Sequence, residues 1–263
     1  MEVHAHTHTA RKKWTHYFWE FLMLFLAVFC GFFAEYQLEH TIEQQREKKY
    51  INSMLHDLSR DTTAMTSHAQ FQSRAVVYAD SLVRLLKGPD PASYTNDIYY
   101  YSRILSIFNP FFYSTATINQ LKSSGSLRLI SKSSIADSIL NYYDIYAQRI
   151  QAAEANIEKV LLDFRSAMGG VINAEVIRTM IDTSKLILTA PTRGSFISRP
   201  KGNPPLFGND RRDINQLCTH ADFLLTLYQF QLTNLKEQKI RAKALMQMLK
   251  NEYHLSEGTP LEK

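Results

Sequence analysis

Residues 17–34 read YFWEFLMLFLAVFCGFFA, and this apolar stretch decides how the chain is organised. The stretch contains one charged residue, Glu20, and carries interfacial aromatic side chains at Trp14, Trp19 and Tyr36 on and around its ends. A helix of this length and composition is just long enough to cross a hydrocarbon core of about 30 Å. We therefore predict a transmembrane helix over residues 17–36.

A cleaved signal peptide also combines a basic start with an apolar centre, but it needs small residues around the cleavage point. Phe29, Phe32 and Phe33 occupy those positions here. A lipoprotein signal at Cys30 is disfavoured for the same reason, because Phe29 stands where a small residue belongs. We expect the segment to be retained as an anchor.

The charges that flank the anchor predict its orientation. Arg11, Lys12 and Lys13 come just before it, whereas the eleven residues from Glu35 to Gln45 contain no lysine or arginine. Basic residues near a membrane segment remain preferentially on the cytoplasmic side. The sequence therefore predicts a cytoplasmic N-terminus, with the remainder of the chain on the far side of the membrane.

The anchor has two chemically different faces. At 100° per residue, Glu20, Ala27, Gly31 and Ala34 fall on one face, and phenylalanines fall opposite. Small residues four apart allow two membrane helices to approach closely, and a carboxylate on that face prefers a partner to lipid. We predict self-association through this face. The alternative is that Glu20 reaches the nearby cytoplasmic interface and has no partner.

The two ends of the chain are predicted to be tails. Residues 1–16 are basic and rich in histidine, and His4, His6 and His8 alternate in a pattern that suits an extended segment around a zinc, nickel or copper ion. The alternative is a solvated low-complexity tail, because the composition supplies no second shell for a metal. Residues 254–263 are predicted to be a flexible C-terminal tail.

Beyond the anchor, residues 37–50 are highly charged and contain no glycine or proline, so the anchor helix should continue as a stalk. An apolar helical pattern then begins at Ile51 and ends at the Gly88–Pro91 turn. A single helix from Tyr17 to Lys87 would be about 105 Å long. We therefore expect a bend in its polar stretch between Thr62 and Ser73.

Residues 51–253 are predicted to form an irregular helical bundle, which makes the chain all-α with one transmembrane helix. Apolar residues recur every three or four positions from Ile135 to Met168, until Gly169 and Gly170 break the pattern, and again from Ile214 to Leu249. Two short helices are expected between residues 94 and 122. Cys218 lies beside the final stripe and is predicted to be a buried, inert thiol.

Residues 183–209 form the exception, because they contain four prolines and three glycines. Loops of this length in compact domains are usually functional or disordered. We predict a hairpin that pairs Lys185–Thr189 with Ser195–Arg199, and a candidate anion or partner site nearby. The site residues would be Arg193, Arg199, Lys201, Arg211 and Arg212. The alternative is a solvated basic loop.

Composition excludes several functional classes. The net charge of +5 over 263 residues is too dilute for a nucleic-acid footprint. Cys30 and Cys218 lie far apart and are not expected to pair. The sequence contains no GxSxG, HExxH, phosphate-loop or CxxC motif, so we predict neither an enzyme nor a bound cofactor.

Four segments carry a family resemblance: HAHTH at residues 4–8, KKWTHYFWEFLMLFLAVFCGFFAEYQLEH at 12–40, REKKYINSMLHDLSRD at 46–61 and INQLKSSGSLRLI at 118–130. They resemble a family of uncharacterised bacteroidete membrane proteins. The resemblance implies a bacterial inner-membrane protein with an N-terminal anchor. Together with the orientation predicted from the flanking charges, it would place the N-terminus in the cytoplasm and the C-terminal domain in the periplasm. It implies no activity or cofactor.

Two functions remain in view. The first is a non-enzymatic structural or interaction protein of the bacterial envelope, whose partners are the lipid bilayer, a second copy of the chain and an unidentified envelope protein. The second is a ligand-sensing helical bundle that signals through a partner membrane protein. We favour the first, because the anchor, the stalk and the bundle all serve it and none of them requires a pocket.

Overall fold

The computed structural model describes residues 14–182, 184 and 196–255. These residues are helical or irregular, and the one β-type pairing among them is an isolated antiparallel bridge between Ile181 and Ile197. The prediction of an all-α chain with one long apolar N-terminal helix is therefore confirmed. The chain divides into two compact units, residues 1–50 and 51–263, which are described separately.

The described part of the first unit belongs to helix α1, which spans Trp14–Lys87. Its N-terminal part contains an 18-residue window that is long and apolar enough to cross a membrane, and none of that window is buried. Residues 37–50 remain helical, and some of their side chains contact each other along the helix. His40, for example, stacks on Tyr36 and lies 2.9 Å from the amide nitrogen of Gln44.

The second unit contains the rest of α1 and the other described α-helices, of which α5 and α7 are long and the remainder short. They are α2 (Thr95–Leu105), α3 (Ala116–Ser123), α4 (Ser133–Leu140), α5 (Gln148–Val171), α6 (Ala174–Thr179) and α7 (Arg211–Glu252). A π-helical segment, Asn141–Ala147, joins α4 to α5 without interruption. Gly125, two residues after the end of α3, adopts the left-handed conformation with φ of 67°.

The predicted break at Gly169 and Gly170 is wrong, because α5 continues through both glycines to Val171. Close packing explains Gly170 better than helix termination does. A Cβ atom at Gly170 would lie 3.1 Å from the Cγ atom of Asp213, and one at Gly208 would lie 2.3 Å from the carbonyl oxygen of Gly170. The glycines allow the chain before α7 to pass against the end of α5.

Helix α1 is continuous through Thr62–Ser73, where the sequence predicted a bend. The hydroxyl groups of Thr62, Thr63 and Thr66 donate to backbone carbonyls three or four residues earlier, and so remain satisfied within a helix. The most polar inward-facing side chains of this stretch are buried, as described below. Burial in the bundle thus accommodates the polarity of this stretch within an unbroken helix.

Helices α1 and α7 are antiparallel in the bundle. The thiol of Cys218 lies 3.9 Å from the carbonyl oxygen of Val83, and the ammonium group of Lys239 donates to the Thr66 hydroxyl at 2.7 Å. Between these two levels, His68, Gln72, Glu154 and Gln231 are all buried, and we call them the polar layer.

The polar layer divides the apolar core into two halves. We define the basic half as residues 51–67, 111–153 and 232–255, and the balanced half as residues 73–110, 155–182 and 196–230. The basic half contains ten basic and six acidic residues, a net charge of +4. The balanced half contains eleven and ten. The largest continuous cluster of buried apolar side chains lies in the balanced half.

Candidate functional site

The polar layer joins three helices at one buried carboxyl group. The Oε1 atom of Glu154, on α5, lies 3.0 Å from His68 Nε2 on α1 and accepts a hydrogen bond of 2.7 Å from Gln231 Nε2 on α7. His68 and Glu154 are only 6% and 5% exposed, counting the whole residues. A buried carboxylate must be paired to be tolerated, and a protonated His68 would form an ion pair with Glu154.

His68 Nε2 also lies 3.2 Å from the amide nitrogen of Gln72. A single imidazole nitrogen cannot serve both neighbours in the same way. When Nε2 carries a proton it donates to Glu154, and when it does not it accepts from Gln72. The two protonation patterns of the ring therefore have different hydrogen-bond partners within one site.

Three oxygens of the polar layer have no hydrogen-bond partner: Oε1 of Gln72, Oε2 of Glu154 and Oε1 of Gln231. Each unsatisfied buried acceptor costs about 1–3 kcal/mol. The layer thus opposes tight apolar packing at the centre of the bundle. The layer instead fixes the register of the helices, because sliding α1 or α7 by one turn would remove one donor from Glu154, and sliding α5 would remove both.

A second buried polar cluster lies in the basic half, where α1 caps α3. Asp61 Oδ1 accepts a hydrogen bond of 2.8 Å from the backbone N–H of Ser114, and Asp57 Oδ2 accepts one of 3.3 Å from that of Thr117. Thr115, at the N-cap position, makes no capping hydrogen bond with its side chain. The backbone N–H groups at the start of α3 thus donate to carboxylates that lie more than fifty residues earlier in the chain.

Burial raises the pKa of Asp61, and the neighbouring Asp57 raises it further, while the hydrogen bonds from Ser114 and the charge of Arg60 oppose the increase. The net direction is upward from the ordinary value of 3.8. The second carboxylate oxygen of Asp61 has no hydrogen-bond partner. The folded bundle therefore favours the protonated carboxyl group at this position.

Three buried tyrosines stand beside Asp61. Tyr113 and Tyr142 meet edge to face with ring centroids 6.1 Å apart, and Tyr142 meets Tyr143 at 4.9 Å. Their hydroxyl groups have no geometrically acceptable hydrogen-bond partner, and burial raises the pKa of each. Tyr142 and Tyr143 belong to the π-helical segment, a conformation that is often found at functional sites.

The balanced half contains a cleft of about 560 Å³ between the end of α1 and the start of α7. Its volume lies in the range of small-molecule sites. Charged residues at its edge include Lys87, Asp90 and Arg211, and Cys218 contributes a buried thiol. Other lining residues are apolar or carry amides: Leu86, Gly88, Pro89, Pro91, Ala92, Leu206, Asn209, Ile214 and Asn215. Burial raises the pKa of the Cys218 thiol, so the buried thiol predicted for this residue is confirmed.

The basic residues predicted to form a loop site do not share one environment. Arg199 forms an ion pair with Asp97, donates to Asn96 Oδ1 at 3.0 Å, and covers the ring of Tyr100 at 4.4 Å. Its guanidinium group is thus engaged with α2.

Arg211 lines the cleft, while Lys201 and Arg212 are exposed. Arg193 lies outside the described residues. Arg199 and Arg211 therefore lie in different environments, whereas the sequence predicted one shared loop site.

The predicted hairpin has a different pairing in the part that can be described. Asp182 N donates to Phe196 O and Ser198 N to Met180 O, both at 2.8 Å, so residues 180–182 pair with 196–198. Lys185–Thr189, the predicted partner strand, lies outside the described residues. Burial explains the observed register, because Met180 and Ile197 both join the apolar cluster of the balanced half.

In the predicted packing face of the anchor, the carboxylate of Glu20 lies 3.1 Å from His16 Nε2. Ala27, Gly31 and Ala34 are exposed, and a Cβ atom added to Gly31 would meet nothing within 4 Å. On the opposite face, Phe21, Phe25 and Phe29 stack along the helix at 6.3 and 6.1 Å. The helix thus presents one small and one bulky face.

His4, His6 and His8 lie outside the described residues. Among the residues that are described, no group of three or more histidine, cysteine, aspartate or glutamate side chains is arranged to hold a metal ion.

Sequence reasoning missed the polar layer, although a signal for it exists. His68 and Gln72 lie in the polar stretch of α1 that was interpreted as a bend. Glu154 stands between the buried Ile150 and Ile157, in the middle of an otherwise apolar stripe. A polar residue on the buried face of each of three long helices indicates a shared internal contact.

Comparisons with family models, curated proteins and solved structures find no match to this chain.

Proposed function

We propose that this chain is a non-enzymatic, membrane-anchored structural or interaction protein of the bacterial envelope that associates with itself through its anchor. Residues 17–36 would span the inner membrane, with the N-terminus in the cytoplasm and the helical bundle in the periplasm. This assignment extends the resemblance to bacteroidete single-pass proteins, which is itself a proposal. Its partners would be the lipid bilayer, a second copy and an envelope protein.

The observation that carries the proposal is the complete exposure of the apolar window of α1, none of which is buried against the rest of the chain. Twelve large hydrophobic side chains of residues 17–34 are exposed, and they require lipid or another helix as their surroundings. The face formed by Ala27, Gly31 and Ala34 is free of side-chain bulk. That shape supports helix packing in the membrane in addition to simple anchoring.

Replacement of Gly31 tests self-association. A Gly31→Leu change places a branched side chain on the small face, and we expect the oligomeric fraction in membranes to fall about tenfold. Phe29→Leu is the matched control, because it keeps the segment apolar and alters the opposite face. Crosslinking in native membranes gives the measurement. An unchanged oligomeric fraction in Gly31→Leu would rule out packing through this face.

Orientation can be tested independently of assembly. The proposal predicts that a reporter fused after residue 263 is active when it requires the periplasm and silent when it requires the cytoplasm. The opposite result would place the bundle in the cytoplasm. Insertion is checked in the same strains by resistance of the chain to alkaline extraction.

The cleft of about 560 Å³ favours a second candidate function, ligand sensing by the bundle. A sensor predicts that a small molecule stabilises the full chain in nanodiscs against thermal unfolding. If the chain is instead a scaffold, no small molecule should raise its unfolding temperature, and a partner protein should co-purify with it after crosslinking. Screening metabolite pools by thermal shift, beside a crosslinked pull-down from membranes, separates the two functions.

A further inference from the structure

The cleft of about 560 Å³ in the balanced half is lined by two segments of the chain, which we call its walls. The first wall is residues 86–92, at the end of α1 and in the turn after it, and the second lies within residues 206–218, before and at the start of α7. Leu86 and Cys218 are each only 5% exposed and are the most deeply buried lining residues. The cleft thus reaches from the surface to the apolar core.

Contacts outside the cleft hold both walls in place. Beside the second wall, the Tyr99 hydroxyl donates to the carbonyl oxygen of Pro205, and the Phe207 N–H donates to that of Val171, both at 2.9 Å. In the first wall, the ring of Pro89 restricts the backbone where the chain leaves α1. A site whose walls are fixed before binding loses less conformational entropy when a ligand enters.

The first wall carries a carboxylate that no cation of the chain neutralises. Asp90 accepts a hydrogen bond from the Ser93 hydroxyl, and in the described part of the chain it forms no ion pair. Lys87, on the same wall, instead lies 3.8 Å from Asp222 on α7. Asp90 therefore remains able to pair with a cationic group in the cleft.

The second wall carries a guanidinium group that no carboxylate of the chain neutralises. The acidic residues next to it in the sequence are placed elsewhere: Asp210 accepts from the backbone N–H of Arg212 at 2.7 Å, and Asp213 packs beside Gly170. Among the described residues, the Arg211 side chain has no hydrogen bond or ion pair. The two walls therefore present one negative and one positive group to a ligand.

The rest of the lining suits the body of a peptide. Leu206 and Ile214 on the second wall join Leu86 in an apolar surface, and Asn209 and Asn215 add amide groups. An amide can donate to a peptide carbonyl and accept from a peptide N–H. Apolar contact with a few polar groups that fix orientation is the usual composition of a small-molecule site.

We propose that this cleft binds short apolar peptides that carry both a free ammonium group and a free carboxylate. Arg211 binds the carboxylate, Asp90 binds the ammonium group, and the apolar side chains of the peptide lie against Leu206 and Ile214. A ligand with only one charge leaves either Asp90 or Arg211 without a counter-charge. The proposal rests on ligand sensing, the second candidate function above, and names the class of ligand sensed.

The test titrates leucyl-leucine into the full chain in nanodiscs and measures binding by calorimetry. N-acetyl-leucyl-leucine lacks the ammonium group and leucyl-leucine amide lacks the free carboxylate, so each of these peptides probes one charge. We expect leucyl-leucine to bind about fivefold more tightly than either of them. Nanodiscs without protein correct for partition of the peptides into lipid.

Single variants assign each charge to its residue. Asp90→Asn should abolish the preference for leucyl-leucine over the acetylated peptide and keep the preference over the amide, whereas Arg211→Gln should have the opposite effect. Arg212→Gln, at an exposed position that does not line the cleft, should leave both preferences unchanged. All three side chains are exposed, and circular dichroism checks that each variant remains folded.

Three outcomes would overturn the proposal: no binding of leucyl-leucine, equal binding of the three peptides, or the same change of preference in Arg212→Gln as in Arg211→Gln. Failure of ligand sensing is distinguishable. Stabilisation by another metabolite without binding of leucyl-leucine would keep sensing and refute this class of ligand. Binding with both preferences, but with no effect of the peptide on any crosslinked membrane protein, would keep the site and refute sensing.

Discussion

Tyr99 in the balanced half and Tyr142 in the basic half are both buried, but their hydroxyl groups are treated differently. Tyr99 accepts a hydrogen bond from the backbone of Asn173 at 3.1 Å and donates one to Pro205 at 2.9 Å. Tyr142 makes no hydrogen bond of acceptable geometry, like Tyr113 and Tyr143 beside it, although the amide of Gln238 lies near the hydroxyls of Tyr113 and Tyr142. Irregular backbone segments satisfy the buried hydroxyl of Tyr99, whereas no backbone group serves the three hydroxyls of the basic half in the described part of the chain.

The different hydrogen bonding of these hydroxyl groups shows how polar side chains affect the stability of each half. In the balanced half, polar side chains hold loops against the bundle, as Arg199 and Tyr99 do. In both halves, apolar packing must also offset polar atoms that have lost water without gaining a partner, among them Thr95 Oγ1 and Ser102 Oγ in the balanced half and the three tyrosine hydroxyls in the basic half. The polar layer lies between the two halves and is the place where disruption should cost most.

The largest effect is expected at Glu154. The Glu154→Ala change leaves His68 and Gln231 buried without their common acceptor, and should lower the free energy of unfolding by about 3–5 kcal/mol. Glu158→Ala, at an exposed position one turn later, should change it by less than about 0.5 kcal/mol. Chemical denaturation of the full chain in nanodiscs measures both. A small effect at Glu154 would show that the polar layer does not couple the halves.

A pair of tyrosine variants sharpens the comparison directly. Tyr99→Phe removes two hydrogen bonds and should lower the free energy of unfolding by about 1–2 kcal/mol, whereas Tyr142→Phe removes an unsatisfied hydroxyl and should be neutral or stabilising. The same denaturation measurement applies to both variants. If Tyr142→Phe destabilised the bundle as much as Tyr99→Phe, the two halves would not differ in the way described.

The smallest effect concerns pH. Because the pKa of Asp61 is raised above its ordinary value of 3.8 in the folded chain, the folded state retains this proton to higher pH than the unfolded state does. The protonated carboxyl group of Asp61 therefore stabilises the folded chain fully at pH values below its unfolded pKa. This stabilisation is lost as pH rises through its folded pKa.

Asp61→Asn lacks this titration and retains an oxygen that can accept from Ser114. Measured by denaturant midpoint at a series of pH values, its stability relative to the unmodified chain should increase as pH rises from about 4 towards neutrality. Asp137→Asn, at an exposed position, is the control. Parallel profiles for the unmodified chain and Asp61→Asn would contradict a raised pKa.

Helix content, the apolar anchor and the long periodic helices could be predicted from the sequence because they depend on composition and spacing within one segment. The apolar stripe from Ile135 to Met168 lies in a continuous helical run, as expected. Gly125 adopts the left-handed conformation that glycine commonly takes at the end of a helix. Predictions of this kind need no knowledge of which segments meet.

The polar layer and the capping of α3 could not be predicted in that way, because each depends on residues brought together from distant helices. Asp57 and Asp61 look like ordinary helix residues until Ser114 and Thr117 are placed beside them. Gly170 was interpreted from its propensity to end helices, whereas its role depends on the approach of Gly208. Tertiary contacts overrode local propensity in each case.

The span of the polar layer along the chain has a consequence for biosynthesis. His68 is made early, Glu154 near the middle and Gln231 only with the last helix, so the carboxyl group of Glu154 lacks one of its donors until α7 has been synthesised and docked. Contacts that close so late slow folding and prolong the exposure of unfinished surfaces. A chain released before α7 would leave exposed the faces of α1 and α5 that α7 covers in the complete bundle.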